Sequence, residues 1–135
     1  MKKFEFLEHT ADIKFRAYGK SINELFENSA LALSEYIARG NKIKSKIKKE
    51  ITVNGNDNDS LLYNFLEELI YLLDAENFVS SRAKIKIKNN ELKAVLEGDK
   101  ASKYKNLDHV KAATYSEMYV KKTSSGFEAQ VVIDV

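Results

Sequence analysis

The sequence contains no cysteine. That excludes disulfides, thiolate metal sites and cysteine nucleophiles together. It also contains no proline, and with its many Lys, Glu and Ile residues this composition suits a thermophile or an AT-rich genome. Arginine is limited to Arg16, Arg39 and Arg82. Nearly all the positive charge is therefore lysine, a point charge without the planar fork that reads bases or grips phosphate in two places. An excess of one charge is missing as well: 22 Lys and Arg stand against 20 Asp and Glu, a formal net of +2. That balance is too even to argue for nucleic acid on electrostatics alone. No apolar run is long enough to span a bilayer, and Met1-Lys2-Lys3 leads straight into a strand pattern where a signal peptide would place its apolar core. The expectation is a soluble, cytoplasmic protein with no membrane contact. H-E-x-x-H, P-loop, G-x-G-x-x-G and G-x-S-x-G motifs are all lacking, which argues against an enzyme.

What is present describes one domain of 135 residues, 44% of them hydrophobic. A chain of that length buries roughly two-thirds of its unfolded surface, enough for an independent core. Phe4 and Phe6, then Ile13, Phe15 and Ala17, alternate with polar residues, a period of two that reads as two strands around the break His9-Thr10-Ala11-Asp12. Ser21-Ile22-Asn23-Glu24 is a capping box. It opens a helix with Ile22, Leu25, Phe26, Leu33 and Ile37 at helical spacing and Gly40 as its stop. Ile43–Val53 alternates Ile and Val with Lys44, Lys46, Lys48 and Glu50. That lysine ladder reads as a solvated strand face that discourages edge pairing, in preference to a phosphate-binding strip.

Asp59 or Ser60 is expected to cap a second helix, Leu61–Asp74. Apolar residues cover most of its circumference, which makes it the central helix of the core. Glu67 and Glu68 diverge by roughly 100° and so do not share one site; a solvated stripe or a partner contact is expected of them. Ala83–Leu96 reads as a hairpin turning at Asn89-Asn90. Lys100–Asp108 is loop or a single helical turn, and Ala113–Lys121 with Phe127–Val135 forms a closing hairpin. The expected fold class is α+β: two α-helices packed on largely antiparallel β-sheet, as a single domain over residues 1–135.

The chemistry concentrates at two aspartates. Asp12 is out of phase with Ile13, Phe15 and Ala17, and Asp134 is out of phase with Phe127, Ala129, Val131 and Ile133, so each points away from the core face of its strand. If head and tail strands are neighbours, both carboxylates meet near the α-carboxylate of Val135. Such a group repels itself unless a cation joins it. Oxygen donors suit Ca2+, Mg2+ or Mn2+ and not zinc. The alternative is that these aspartates cap turns or pair with Lys14 or Lys121. His9 and His109 are the only histidines, and His9, three residues before Asp12, is a candidate ligand or proton carrier and an additional functional residue.

His9-Thr10-Ala11-Asp12-Ile13, the helix Leu61-Leu62…Phe65-Leu66-Glu67-Glu68-Leu69, the segment Val110-Lys111-Ala112-Ala113-Thr114-Tyr115 and the terminal Val132-Ile133-Asp134-Val135 together resemble the archease family over essentially the whole chain. The resemblance implies an α+β fold and a small accessory protein of an RtcB-type tRNA-splicing ligase. Such a protein promotes guanylylation and multiple turnover of the ligase and meets RNA only indirectly. It implies a bound divalent cation, in the family often Ca2+, at positions matching Asp12, Asp134 and Val135. A role as chaperone-like partner of other RNA-processing enzymes, such as a tRNA methyltransferase, is also attached to the family. Ser116 stands where archeases commonly carry His.

Overall fold

A computed structural model describes residues 2–135. In chain order the elements are β1 (Phe4–Leu7), β2 (Ile13–Gly19), α1 (Ile22–Ala38), β3 (Ile47–Asn54), α2 (Asn58–Glu76), β4 (Phe78–Lys88), β5 (Glu91–Lys100), a short 3₁₀ turn (Ala101–Lys103), β6 (Ala112–Thr123) and β7 (Gly126–Asp134). The α+β class expected from the sequence is what the chain adopts. The strands form two sheets, one ordered β1-β2-β7-β6 and the other β3-β5-β4, and every pairing is antiparallel.

Head and tail of the chain are neighbours. β2 pairs with β7 from Ile13↔Ile133 to Gly19↔Phe127. The alternation that marked β2 is also its burial pattern, with Phe15 and Ala17 buried, whereas β7 is buried on both faces: Ala129, Val131 and Ile133 on one, Gln130 and Val132 on the other. Gly19 closes β2 because the chain enters α1 so tightly that a Cβ there would stand 2.4 Å from the Leu25 nitrogen.

Both helices touch strands of both sheets, α1 against β1, β2, β7 and β4, and α2 against β6, β3, β4 and β5. The rings of Phe26 and Phe65 stack between the helices at 6.3 Å. α1 starts at the Ser21 cap as expected, Ser21 accepting from the Glu24 amide. α2 starts earlier than expected. Its cap is Asp57, which accepts from the Ser60 amide while the Ser60 hydroxyl accepts in return from the Asp57 amide. Ser60 is thus the far half of a capping box, not the cap itself.

α1 also closes an edge. Asn23 and Glu27, one helical turn apart, accept from the amides of Ile87 and Ile85 on the outer side of β4. Glu67 of α2 does similar work: its carboxylate accepts from the Ala113 amide at 2.6 Å, anchoring the start of β6. The solvated or partner-facing role expected of Glu67 is therefore replaced by a structural one.

β6 carries the largest departure from regularity. Thr114 pairs with Val132, but the next pair is Tyr119 with Gln130. Tyr115, Ser116, Glu117 and Met118 thus bulge opposite Val131 alone, and Glu117 takes a left-handed φ of 55°. Bulges of this kind re-aim side chains.

Candidate metal centre

Most residues that face away from the helices on β2 and β7 are polar and interlocked, Val132 being a buried apolar exception. Tyr18 donates its hydroxyl to Glu5 and Tyr119 donates to Glu128. Arg16 reaches Gln130 at 3.0 Å, and Gln130 donates to the Glu117 carbonyl at 2.8 Å. Burial first, then the hydrogen bonds to Glu5 and Glu128, pushes the phenols of Tyr18 and Tyr119 up to about 12. A phenol whose folded pKa lies above its ordinary value of 10.0 stabilises the fold fully below that ordinary value and loses this contribution as pH rises through the folded one. Of the seven tyrosines, these two should ionise last in a phenolate absorbance titration. Tyr18→Phe and Tyr119→Phe should each remove one late-titrating group, and simultaneous ionisation of all seven would contradict the arrangement.

At one end of this surface sit the two aspartates. The terminal β2–β7 pair is Ile13↔Ile133, so Asp12 and Asp134 each stand one residue beyond it, at the same end of adjacent strands. Both are partly exposed. Their alternative partners are engaged elsewhere: Lys14 pairs with Glu117 at 3.0 Å and Lys121 with Glu128 at 3.7 Å. Among the described residues, neither aspartate side chain has a Lys or Arg partner. The His9 ring lies beside Asp12, with Nδ1 4.0 Å from Oδ2. Val135 follows Asp134 directly and packs partly against the core. His109 is exposed.

Glu117 is the site residue that the sequence did not disclose. From the bulge its carboxylate reaches across β7, with Oε1 3.0 Å from the Lys14 amine and Oε2 3.1 Å from His9 Nε2. Lys14 first and His9 second hold its carboxyl below the usual range. Ala11, in the turn that delivers Asp12, also has a left-handed φ of 69°. Non-glycine residues in that region cost on the order of 1–3 kcal/mol and cluster where geometry serves a function. Ser116, beside Glu117, is exposed and donates its amide to Thr114 Oγ1 at 3.3 Å.

The groups with free donor capacity at this end are the Asp12 and Asp134 carboxylates, the Val135 terminus and the buried, unpartnered Nδ1 of His9. Among the described residues, no three His, Asp or Glu side chains are arranged so as to hold a metal ion by themselves. An ion here would draw on the chain terminus and on water to complete its shell.

Comparison with known proteins decides the family. The model of the archease protein family matches residues 4–135. The chain belongs to the archease family. The archease of Pyrococcus abyssi is 43% identical over 142 residues, covering 100% of both chains. That of Methanosarcina mazei is 38% identical, covering 99% of this chain and 97% of its own. The solution structure of Methanobacterium thermoautotrophicum protein 1598 superimposes with a TM-score of 0.81 at 30% identity, over 100% of both chains. A Thermotoga maritima archease, described as a possible chaperone, shares the fold with a TM-score of 0.64 at 23% identity, over 96% of this chain and 94% of its own. Among the described residues no helix is long and apolar enough to cross a membrane.

Proposed function

We propose that this archease is a cytoplasmic, non-enzymatic accessory protein that activates an RtcB-type tRNA-splicing ligase, promoting its guanylylation and multiple turnover. It works through a divalent cation held by Asp12, Asp134 and the Val135 carboxylate, with Ca2+, Mg2+ and Mn2+ as the candidate ions. The observation that supports this reading is that Asp12 and Asp134 each stand one residue beyond the terminal Ile13↔Ile133 pair, with no lysine or arginine partner among the described residues. Partly shielded carboxylates side by side favour a cation, and hard oxygen donors favour these ions. The unpartnered His9 nitrogen beside Asp12 fits the same conclusion. Presented to a ligase, such a cluster would arrange charge around nucleotide phosphates, where positioning and neutralisation supply most of the rate.

Asp12→Ala should return ligation to the rate of the ligase alone, with an unchanged circular dichroism spectrum. Full activation by this variant would remove the proposal. The second reading is a chaperone-like partner of another RNA-processing enzyme, such as a tRNA methyltransferase. The stacked pair Tyr63–Tyr115, centroids 4.1 Å apart with Tyr115 54% exposed, is a surface that such a partner would cover. Pull-down from native cells, followed by ligation and methylation assays, separates the two.

A further inference from the structure

We propose that the uncovered face of the three-stranded sheet binds the phosphodiester backbone of a single RNA strand through Lys84, Lys86 and Lys93. Direct contact with RNA goes beyond the indirect one that the family resemblance implies. The inference rests on the ligase-accessory reading only for the choice of RNA among polyanions.

The register builds the surface. β5 lies between β3 and β4. The alternation that buries Ile85, Leu92, Ala94 and Leu96 turns Lys84, Lys86, Lys93 and Val95 to solvent. At the two ends of this face the charges are matched. Glu97 stands between Lys48 and Arg82 and pairs with Arg82 at 3.0 Å, and Glu91 stands opposite Lys88. The middle is not matched. Lys86 and Lys93 stand directly opposite each other, with Lys84 on the diagonal from Lys93, a separation of about 7–8 Å. Among the described residues Lys84 and Lys86 form no ion pair, and Lys93 reaches only Glu91, at 4.0 Å. These three lysines line a groove of about 520 Å³ in which Glu50 is the one carboxylate. Thr52, opposite Lys93, adds a hydroxyl, and Val95, 36% exposed, gives an apolar floor for a sugar or base.

Two observations separate this cluster from an ordinary solvated face. Like charges directly opposite on paired strands destabilise them, so the fold carries a cost at Lys86 and Lys93 that a bound anion removes. Lysines also guard sheet edges against unwanted pairing, but that duty is already met here. Lys93 lies on the central strand, and on β4 the outer amides of Ile85 and Ile87 are taken by Glu27 and Asn23. A formal net charge of +2 averages over the whole chain and hides this local excess. Lysine lacks the planar fork that reads bases, so the groove should hold the backbone without regard to sequence.

Fluorescence anisotropy of a labelled oligouridine, titrated with the full chain at several KCl concentrations, tests this. The logarithm of the affinity should fall with the logarithm of salt at a slope of about −2, the value for three phosphates neutralised on a single strand. Lys86→Glu should weaken binding by about tenfold or more and at the same time raise the melting temperature, because it turns a like-charged cross-strand pair into an opposite one. That rise keeps misfolding from accounting for the loss. Lys105→Glu makes the same change in total charge in the exposed bend after the 3₁₀ turn, and should bind as the wild type does. Equal loss in both variants would reduce the effect to total charge and overturn the proposal. Polyglutamate competing as well as unlabelled RNA would assign the face to an acidic protein and overturn it too. No binding of oligouridine by a chain that still activates the ligase would sink this inference and leave the accessory reading standing. RNA binding by a chain that does not activate the ligase would do the reverse.

Discussion

Saturating Ca2+ or Mn2+ should raise the melting temperature of this protein by about 10 °C, and Asp134→Asn should cancel most of that gain. The magnitude follows from linkage. Ligand at a hundred times its dissociation constant stabilises the state that binds it by about 2.7 kcal/mol, and a domain of this size gains about 4 °C per kcal/mol. The sign of the substitution should reverse without metal. Asp12 and Asp134 stand just beyond the terminal pair of neighbouring strands with no lysine partner among the described residues, and like charges placed across a strand pair destabilise it. Asparagine at position 134 removes one of the two, so the metal-free variant should melt slightly above the metal-free parent and well below the loaded one. Differential scanning calorimetry with chelator and with added ion reads both arms. A variant that gains as much from metal as the parent would show that Asp134 holds no ion.

Phe65→Ala should lower stability by about 4 kcal/mol, the cost of emptying a ring-sized space in a well-packed core, and the melting temperature by about 15 °C. Phe65 is fully buried and stacks on Phe26, where α2 meets α1. Because each helix touches both sheets, loosening this contact loosens the joint between them. Tyr71, on the same helix but 54% exposed, is the control: Tyr71→Ala should shift the midpoint little, since exposed substitutions usually stay within about 0.5 kcal/mol. Urea denaturation of both variants measures the difference. Equal effects would mean that the helix contact is not where the core is tightest.

Much of this architecture could be read from residue order. The alternation at Phe15 and Ala17 and at Ala129, Val131 and Ile133 states which face of β2 and β7 is covered, because strand geometry turns a period of two into two faces. Asp12 and Asp134 stood out by breaking that phase, and the register makes β2 and β7 neighbours, with each aspartate one residue beyond the terminal Ile13↔Ile133 pair. The Ser21 cap of α1 and the Asn89-Asn90 turn were legible because both are local: Ser21 accepts from the Glu24 amide, and both asparagines adopt the positive φ that the tight turn demands, whereas the Glu24 carboxylate accepts from Lys20 and not from Ser21. Long-range partnerships were not legible. Glu67 looked like a surface acid and instead holds the Ala113 amide 46 residues away. Glu117 looked like an ordinary strand residue, since a bulge has no required composition and nothing nearby announces that its carboxylate will reach His9, 108 residues earlier. The start of α2 was misplaced because Asp57 and Ser60 are both good capping residues, and only the reciprocal bonds distinguish them.

The way α1 treats β4 bears on how these molecules tolerate crowding. The amides of Ile85 and Ile87 are already occupied by Glu27 and Asn23. A strand from a second molecule seeking to extend the sheet there would first have to peel a 17-residue helix from its seat. Fibril growth by recruitment at that border is therefore blocked by the native fold itself, however concentrated the protein becomes.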